Sequence, residues 1–408
     1  MNNDKVYVGV KIKRRFELKT MDATLNDTKT SNTELQPLLK WPGGKSTEFE
    51  YIRNIIPPFK RYIEPFVGGG AVFFKLNPQK AVINDVADEL IDFYSFIKGD
   101  LNRKEFEKEV LDYVNAWDKI PSYIEFLETK IARLYRSFFE QKISKKEFED
   151  EVIVLLKSHE KDFRSLFKKE FCIDEDNLIR QIKKNLFDKL IRTVEVEKKI
   201  PGGFGHGDLE KNIETGFKSG FYMHFRDLLN NTNKKYKISH AKHVANWYFI
   251  REYCYGSMFR FNSKGEFNIP YGGMGYNGKN FRKKIEYLLS EDVEDLLDKT
   301  DIYKLDFADL MKKLTLTKDD FIFLDPPYDT DFSSYEGNTF DKNDQTRLAD
   351  IIIGLPAKWI MIIKDTDFIS SLYRNKKGIV VESFEKSYLY NVKGRNDRDV
   401  SHLIIRNF

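Results

Sequence analysis

Asp325-Pro326-Pro327-Tyr328 is the segment of this 408-residue chain whose residue types point most directly to chemistry. It follows the apolar run 321–324. A strand ending in a Pro-Pro corner sets an acid and an aromatic ring at the C-terminal edge of a sheet, where open α/β folds bind ligands. The prolines restrict the turn, so the Asp325 carboxylate and the Pro326 carbonyl become two fixed acceptors. Two acceptors beside a flat ring suit an exocyclic amine on a planar base. The N6 amine of adenine is a poor nucleophile because its lone pair is delocalised into the ring. Acceptors on both N–H bonds draw it toward a pyramidal, nucleophilic form, while Tyr328 stacks on the base. A base inside a duplex would have to be flipped out to reach such a corner. The competing reading is a purely structural turn.

Two earlier segments could hold a cofactor. Glu64-Pro65-Phe66-Val67-Gly68-Gly69-Gly70 supplies glycines that let the backbone turn tightly and approach a ligand. It is not the dinucleotide fingerprint, because Phe73 stands where the last glycine is required. Asp85 follows at the end of a second apolar run, placed to accept hydrogen bonds from ribose hydroxyls. Lys40-Trp41-Pro42-Gly43-Gly44-Lys45-Ser46-Thr47 invites a phosphate-loop reading, but Leu39 occupies the position that needs glycine and no strand precedes it. A loop carrying Trp41 and Lys45 can instead cover a cofactor, with Lys45 reaching a carboxylate.

The elements that must position these residues are legible in outline. Strand 61–66, glycine turn, helix from 71, strand 81–85 and acid form the opening of a Rossmann-like α/β domain. Strand-like runs return at 321–324, 359–363, 379–384 and 401–405, with a helical pattern at 344–354. Between them, Ile124, Leu127, Ile131, Leu134 and Phe138 recur at helical spacing, as do Phe148, Val152 and Leu155, and Ile179, Ile182, Leu186 and Leu190. Pro121 is expected to break this series, and the glycine-rich stretch 201–220 to be a loop. The division expected is a flexible extension over 1–36, a first catalytic part over 37–98, a helical insertion and target-recognition region over 99–290, and a second catalytic part over 291–408.

Composition sets bounds. The net charge is only +4, but residues 221–290 hold 12 Lys/Arg against 4 Asp/Glu, a footprint suited to a phosphate backbone. The two cysteines, Cys172 and Cys254, cannot build a four-thiolate metal site, so no metal is expected. No apolar run reaches transmembrane length and no signal-peptide pattern is present, so a cytoplasmic location away from membrane is expected.

In this order the motifs resemble the Dam-type, alpha-group family of DNA adenine-N6 methyltransferases. The family's KWxGGK, E-P-F-x-G-x-G and D-P-P-Y segments match 40–45, 64–70 and 325–328, and Arg260 to Gly272 is similar to its R-x-N-x-x-G-x-F-N-x-P-[FY]-G stretch. The resemblance covers about 37–98 and 220–408, not 100–200. It implies an α/β, class I S-adenosylmethionine-dependent methyltransferase (Rossmann-like) fold with an inserted, mostly helical target-recognition domain. It implies S-adenosyl-L-methionine as cofactor, held by Trp41, Lys45, Phe66, Gly68, Gly70, Asp85, Asp306, Phe307 and Asp325. The catalytic residues implied are Asp325, Pro326, Pro327 and Tyr328, with Arg260, Asn262 and Lys264 on DNA. Double-stranded DNA is the implied partner, a cognate restriction endonuclease acting on the same site a further candidate, and a monomer the expected state. Cytosine-C5 chemistry is not supported, since Phe171 precedes Cys172 and Tyr253 precedes Cys254 where a Pro-Cys pair is needed. Two alternatives stand beside this reading: a methyltransferase of RNA or protein, and a catalytically dead DNA-binding relative. Asp306 as a mere helix cap, Phe66 as core, and Arg260 and Asn262 as turn residues are the bland readings of those positions.

Overall fold

The computed structural model describes residues 34–258, 260–328, 340–387 and 399–408, and Leu35–Phe408 form one compact unit. Most of the expected 1–36 extension lies outside the described residues. Among the described residues seven strands make a single sheet: β1 (Arg61–Glu64), β2 (Ala81–Asn84), β3 (Thr300–Tyr303), β4 (Asp320–Leu324), β5 (Lys358–Lys364), β6 (Val380–Ser387) and β7 (Asp399–Arg406). Their order is β3-β2-β1-β4-β5-β7-β6. β3, β2, β1, β4 and β5 run parallel, and β7 runs antiparallel to both β5 and β6. This is the class I methyltransferase architecture expected above.

Alternation along the strands splits the interior into two cores. Tyr62, Ile83, Phe321, Phe323, Ile360 and Ile362 face one side. Ile63, Val82, Ile322, Leu324, Met361 and Ile363 face the other. The second side is covered by the helices Phe307–Lys313, Lys342–Ile352 and Asp367–Tyr373. The first side is continuous with the helices Arg103–Phe139, Lys145–Ser158, Glu175–Glu197, Asp208–Asn230 and His240–Tyr253, so the large helical region shares a core with the sheet. None of the described helices is long and apolar enough to cross a membrane.

Two sequence expectations are corrected. Pro121 does not end its helix, which runs unbroken from Arg103 to Phe139. An interior proline costs about 3 kcal/mol. Here the apolar stripe stays in register on both sides of it, with Val110, Tyr113 and Trp117 before and Ile124, Leu127 and Ile131 after all buried in one core. That burial outweighs the lost hydrogen bond.

Residues 208–220 are not loop but the first half of the Asp208–Asn230 helix. Its glycines serve a close helix crossing. A Cβ on Gly220 would lie 2.4 Å from the Ile182 Cα, and one on Gly216 would lie 2.9 Å from the Leu186 Cα. The obstacles are backbone atoms, which cannot rotate away. Gly220→Ala should therefore lower the melting temperature. Overpacking costs about 1–3 kcal/mol, more than the roughly 1 kcal/mol that alanine returns in helix propensity. Calorimetry of the two proteins decides; an unchanged or raised melting temperature would contradict this packing account.

Candidate active site

The C-terminal ends of β1, β2, β3 and β4 converge on one cavity of about 330 Å³, within the usual range for small-molecule sites. Trp41, Lys45, Phe66, Gly68, Asp85, Asp306, Phe307, Asp325, Pro326, Pro327 and Tyr328 all line it. Gly70 does not. It is the N-cap of the Ala71–Leu76 helix, at φ +67°.

The glycine turn is shaped by what lies on it. A Cβ on Gly68 would approach Trp41 Cδ1 to 2.7 Å, and φ at Gly68 is +47°. The buried Arg251 guanidinium lies against Trp41, 4.2 Å from its ring centre. The Gly68 N–H donates to Asp85 Oδ2 at 3.0 Å, and the Ala87 N–H donates to Oδ1 at 3.1 Å. Burial raises the Asp85 carboxyl while those backbone donors hold it back. Asn84 ties two strand ends together, donating to the Pro65 and Leu305 carbonyls and accepting from the Leu305 N–H.

At the other end, Phe66, Phe307 and Phe340 form an aromatic box with ring centres 5.6–5.7 Å apart. The Arg347 guanidinium lies 4.7 Å from the Phe307 ring and donates to Asp306 at 2.7 Å. Asp306 also caps its helix through the Ala308 N–H, so the bland and functional readings of this residue coexist.

The Pro-Pro corner is braced from two sides. Lys45 Nζ pairs with Asp325 Oδ1 at 2.5 Å, donates to the Gly43 carbonyl, and lies 5.2 Å from the Tyr328 ring centre. Gln345, fully buried, donates its side-chain amide to the Pro327 carbonyl at 2.7 Å. Glu64 lines the cavity beneath and accepts from the Tyr62 hydroxyl at 2.8 Å. Burial pushes its carboxyl well above the usual carboxylate range, and the nearby Asp325 charge adds to this.

A raised folded-state pKa has a defined sign. Glu64 contributes fully to stability below the ordinary carboxylate pKa, and that contribution is lost as pH rises toward its folded value. Glu64→Gln removes the proton linkage. Its melting temperature relative to wild type should climb between pH 4 and pH 8, about 4 being where free carboxyls titrate. Parallel melting curves for the two proteins across that range would exclude a protonated Glu64.

Several of these residues carry no sequence signal. Phe340, Arg347, Gln345 and Arg251 lie outside every motif and reach the site only through the fold. Glu64 and Asn84 sit within or beside motifs but were not read as site residues. Arg260, Asn262 and Lys264 lie away from the cavity, in the segment bridged by Cys254–Tyr271 and Phe261–Phe267 pairing. Asn262 spends its side chain there, accepting from the Lys264 and Glu266 N–H groups and donating to the Glu266 carboxylate. Arg260 and Lys264 are exposed. Part of the basic charge in 221–290 is held in ion pairs: Lys242 pairs with Glu109, Lys284 with Glu252 and Lys235 with Asp174. Both cysteines are buried outside the cavity lining, and burial pushes their thiols up to about 12 for Cys172 and about 11 for Cys254.

The sequence has relatives among known proteins. The family model of D12 class N6 adenine-specific DNA methyltransferases matches residues 41–171 and 174–387. The chain belongs to this family. Similar proteins include the Type II methyltransferase M.CviBI of Paramecium bursaria Chlorella virus NC1A, 24% identical over 92% of this chain and 100% of the relative. Another is the Type II methyltransferase M.MjaIII of Methanocaldococcus jannaschii, 26% identical over 92% of this chain and 100% of the relative. The DNA adenine methylase of Haemophilus influenzae is 21% identical over 84% of each chain. As a D12 class methyltransferase the protein uses S-adenosylmethionine to methylate adenine in DNA. The family match spans the region 100–171 and 174–200 as well, where the motif resemblance gave no guidance.

The cavity suits that cofactor. Leaving aside Glu64, whose carboxyl burial holds protonated, its lining carries Asp85, Asp306, Asp325 and Asp344 against Lys45 and Arg347, an acidic balance for a ligand with a sulfonium and an ammonium. The Phe66–Phe307–Phe340 box offers flat faces for an adenine, and paired backbone donors fix the Asp85 carboxylate for ribose hydroxyls.

Proposed function

We propose that this chain methylates one adenine within a short recognition sequence of duplex DNA, by flipping the base out and transferring the methyl directly. The observation that carries the reading is the Lys45–Asp325 pair at 2.5 Å beside Tyr328. It fixes the Asp325 carboxylate beside the Tyr328 ring, where a flipped base would meet it. S-adenosylmethionine, when bound beside the corner, supplies a methyl on a positively charged sulfur. Asp325 and the Pro326 carbonyl accept the two N6 hydrogens, which concentrates the nitrogen lone pair. Asp325 then takes the proton that N6 sheds. Tyr328 stacks on the flipped ring, and the Pro327 carbonyl is held by Gln345. Trp41, Phe66, Gly68, Asp85, Asp306 and Phe307 hold the cofactor, with Gly70 shaping the turn below.

DNA lies against the exposed cations Lys234, Lys237, Arg260, Lys264 and Lys283, with residues 201–207 alongside. Asn262 acts by shaping the turn that presents Arg260 and Lys264. The enzyme works in the cytoplasm as a monomer, beside a restriction endonuclease that cuts the same site. The test is nucleoside mass spectrometry of plasmid DNA incubated with the purified protein and S-adenosylmethionine. N6-methyladenine is expected. Methylcytosine in its place, or methylated RNA with untouched DNA, would overturn the reading.

A further inference from the structure

We propose that His402 is a positioning residue that fixes the orientation of the Tyr328 ring. His402 lies on β7, paired with Lys364 of β5 on one side and Phe384 of β6 on the other. It is fully buried. Its Nε2 lies 3.1 Å from the Tyr328 hydroxyl oxygen, and its Nδ1 lies 3.4 Å from the Val400 carbonyl. A carbonyl only accepts, so Nδ1 carries the hydrogen in this arrangement and Nε2 accepts from the Tyr328 hydroxyl. One tautomer of the imidazole satisfies these two contacts together. The two rings meet edge to face at 5.7 Å, and Phe384 backs the imidazole at 5.7 Å.

The Tyr328 ring is thereby gripped at its hydroxyl by His402, while Lys45 approaches the ring. A tyrosine that stacks on a flipped base must present one face at one angle. The Pro-Pro corner fixes the backbone, but the ring can still turn about its own side-chain bonds. His402 removes that freedom from 74 residues away in sequence. No motif contains it, and its effect on the reaction runs entirely through Tyr328.

The inference rests on the adenine-methyltransferase reading of the site. The experiment is a double-mutant cycle of His402→Leu and Tyr328→Phe, measuring kcat for methyl transfer to duplex DNA and the affinity for S-adenosylmethionine. Each single variant should lose about tenfold in kcat with cofactor affinity unchanged, and the double variant should lose no more than either alone, as coupled neighbours do. His402→Gln, which keeps a polar group near the hydroxyl, should recover most of the activity. Losses that multiply in the double variant, or a wild-type kcat in His402→Leu, would overturn the proposal. If His402→Leu does not fold, Tyr328→Phe decides alone. It keeps the ring and removes only the hydroxyl, so a tenfold loss supports the proposal and a wild-type kcat overturns it. A wild-type protein that makes no N6-methyladenine overturns the functional reading and this inference together; a methylating wild type with independent variants overturns this inference alone.

Discussion

Asp325→Ala is expected to reduce methyl transfer by about 10²–10⁴-fold, the range for losing a positioned proton acceptor or a stabilising polar group. Two effects act together. In the proposed mechanism the substitution removes one of the two acceptors on the N6 amine. It also strands Lys45, whose side chain is 2% exposed and paired with Asp325 at 2.5 Å. Breaking a buried pair from one side leaves an uncompensated charge. Asp325→Asn keeps the shape and an acceptor oxygen for Lys45 but loses the negative charge and the capacity to take a proton. Single-turnover rates of the three proteins on the same duplex measure this. Both variants should be slow, with alanine also less stable. An asparagine variant at the wild-type rate would show that Asp325 neither takes a proton nor needs its charge.

Gly68→Val should weaken S-adenosylmethionine binding by on the order of a hundredfold. Three observations combine. The residue has φ +47°, a conformation that costs a β-branched side chain roughly 1–2 kcal/mol. Its Cβ would lie 2.7 Å from Trp41 Cδ1. Trp41 has little room to yield, because the Arg251 guanidinium lies against its ring at 4.2 Å. The backbone that gives way carries the Gly68 N–H, which donates to Asp85. A strain of about 1–3 kcal/mol from overpacking adds to the conformational cost, and each 1.4 kcal/mol is about tenfold in affinity. Titration calorimetry with the cofactor gives the number directly. Near-wild-type affinity would mean that the turn does not shape the cofactor site.

How far the site could be read in the sequence depended on whether its parts are local. The Pro-Pro corner, the glycine turn and Asp85 each follow a strand, so strand periodicity and turn chemistry place them together on one sheet edge. The loop of Trp41 and Lys45 lines the cavity, and the expected Lys45–carboxylate contact is met by Asp325. Gln345, Arg347, Arg251 and His402 were not legible. Each acts through a single contact made across the fold, and none sits in a pattern that a window of neighbouring residues could reveal.

The same contrast explains the misread elements. Pro121 and the glycines at 216 and 220 are strong local punctuation, yet long-range packing overrides both. The alternating strands carried the sheet because a residue's neighbours two positions away share its face. The helical region's attachment to that sheet has no such local signature. The charge excess of 221–290 misled in degree, since Lys242 and Arg251 lie buried in the core rather than on a DNA face.

The central claim is that this chain writes N6-methyladenine at a specific site through Asp325. Methylation-aware sequencing of plasmid DNA from cells expressing the wild type, beside cells expressing Asp325→Ala, tests it most directly. The account predicts methyladenine at one short motif with the wild type and none with the variant. Methyladenine that persists in the variant, or DNA left unmodified by an expressed and folded wild type, would contradict it.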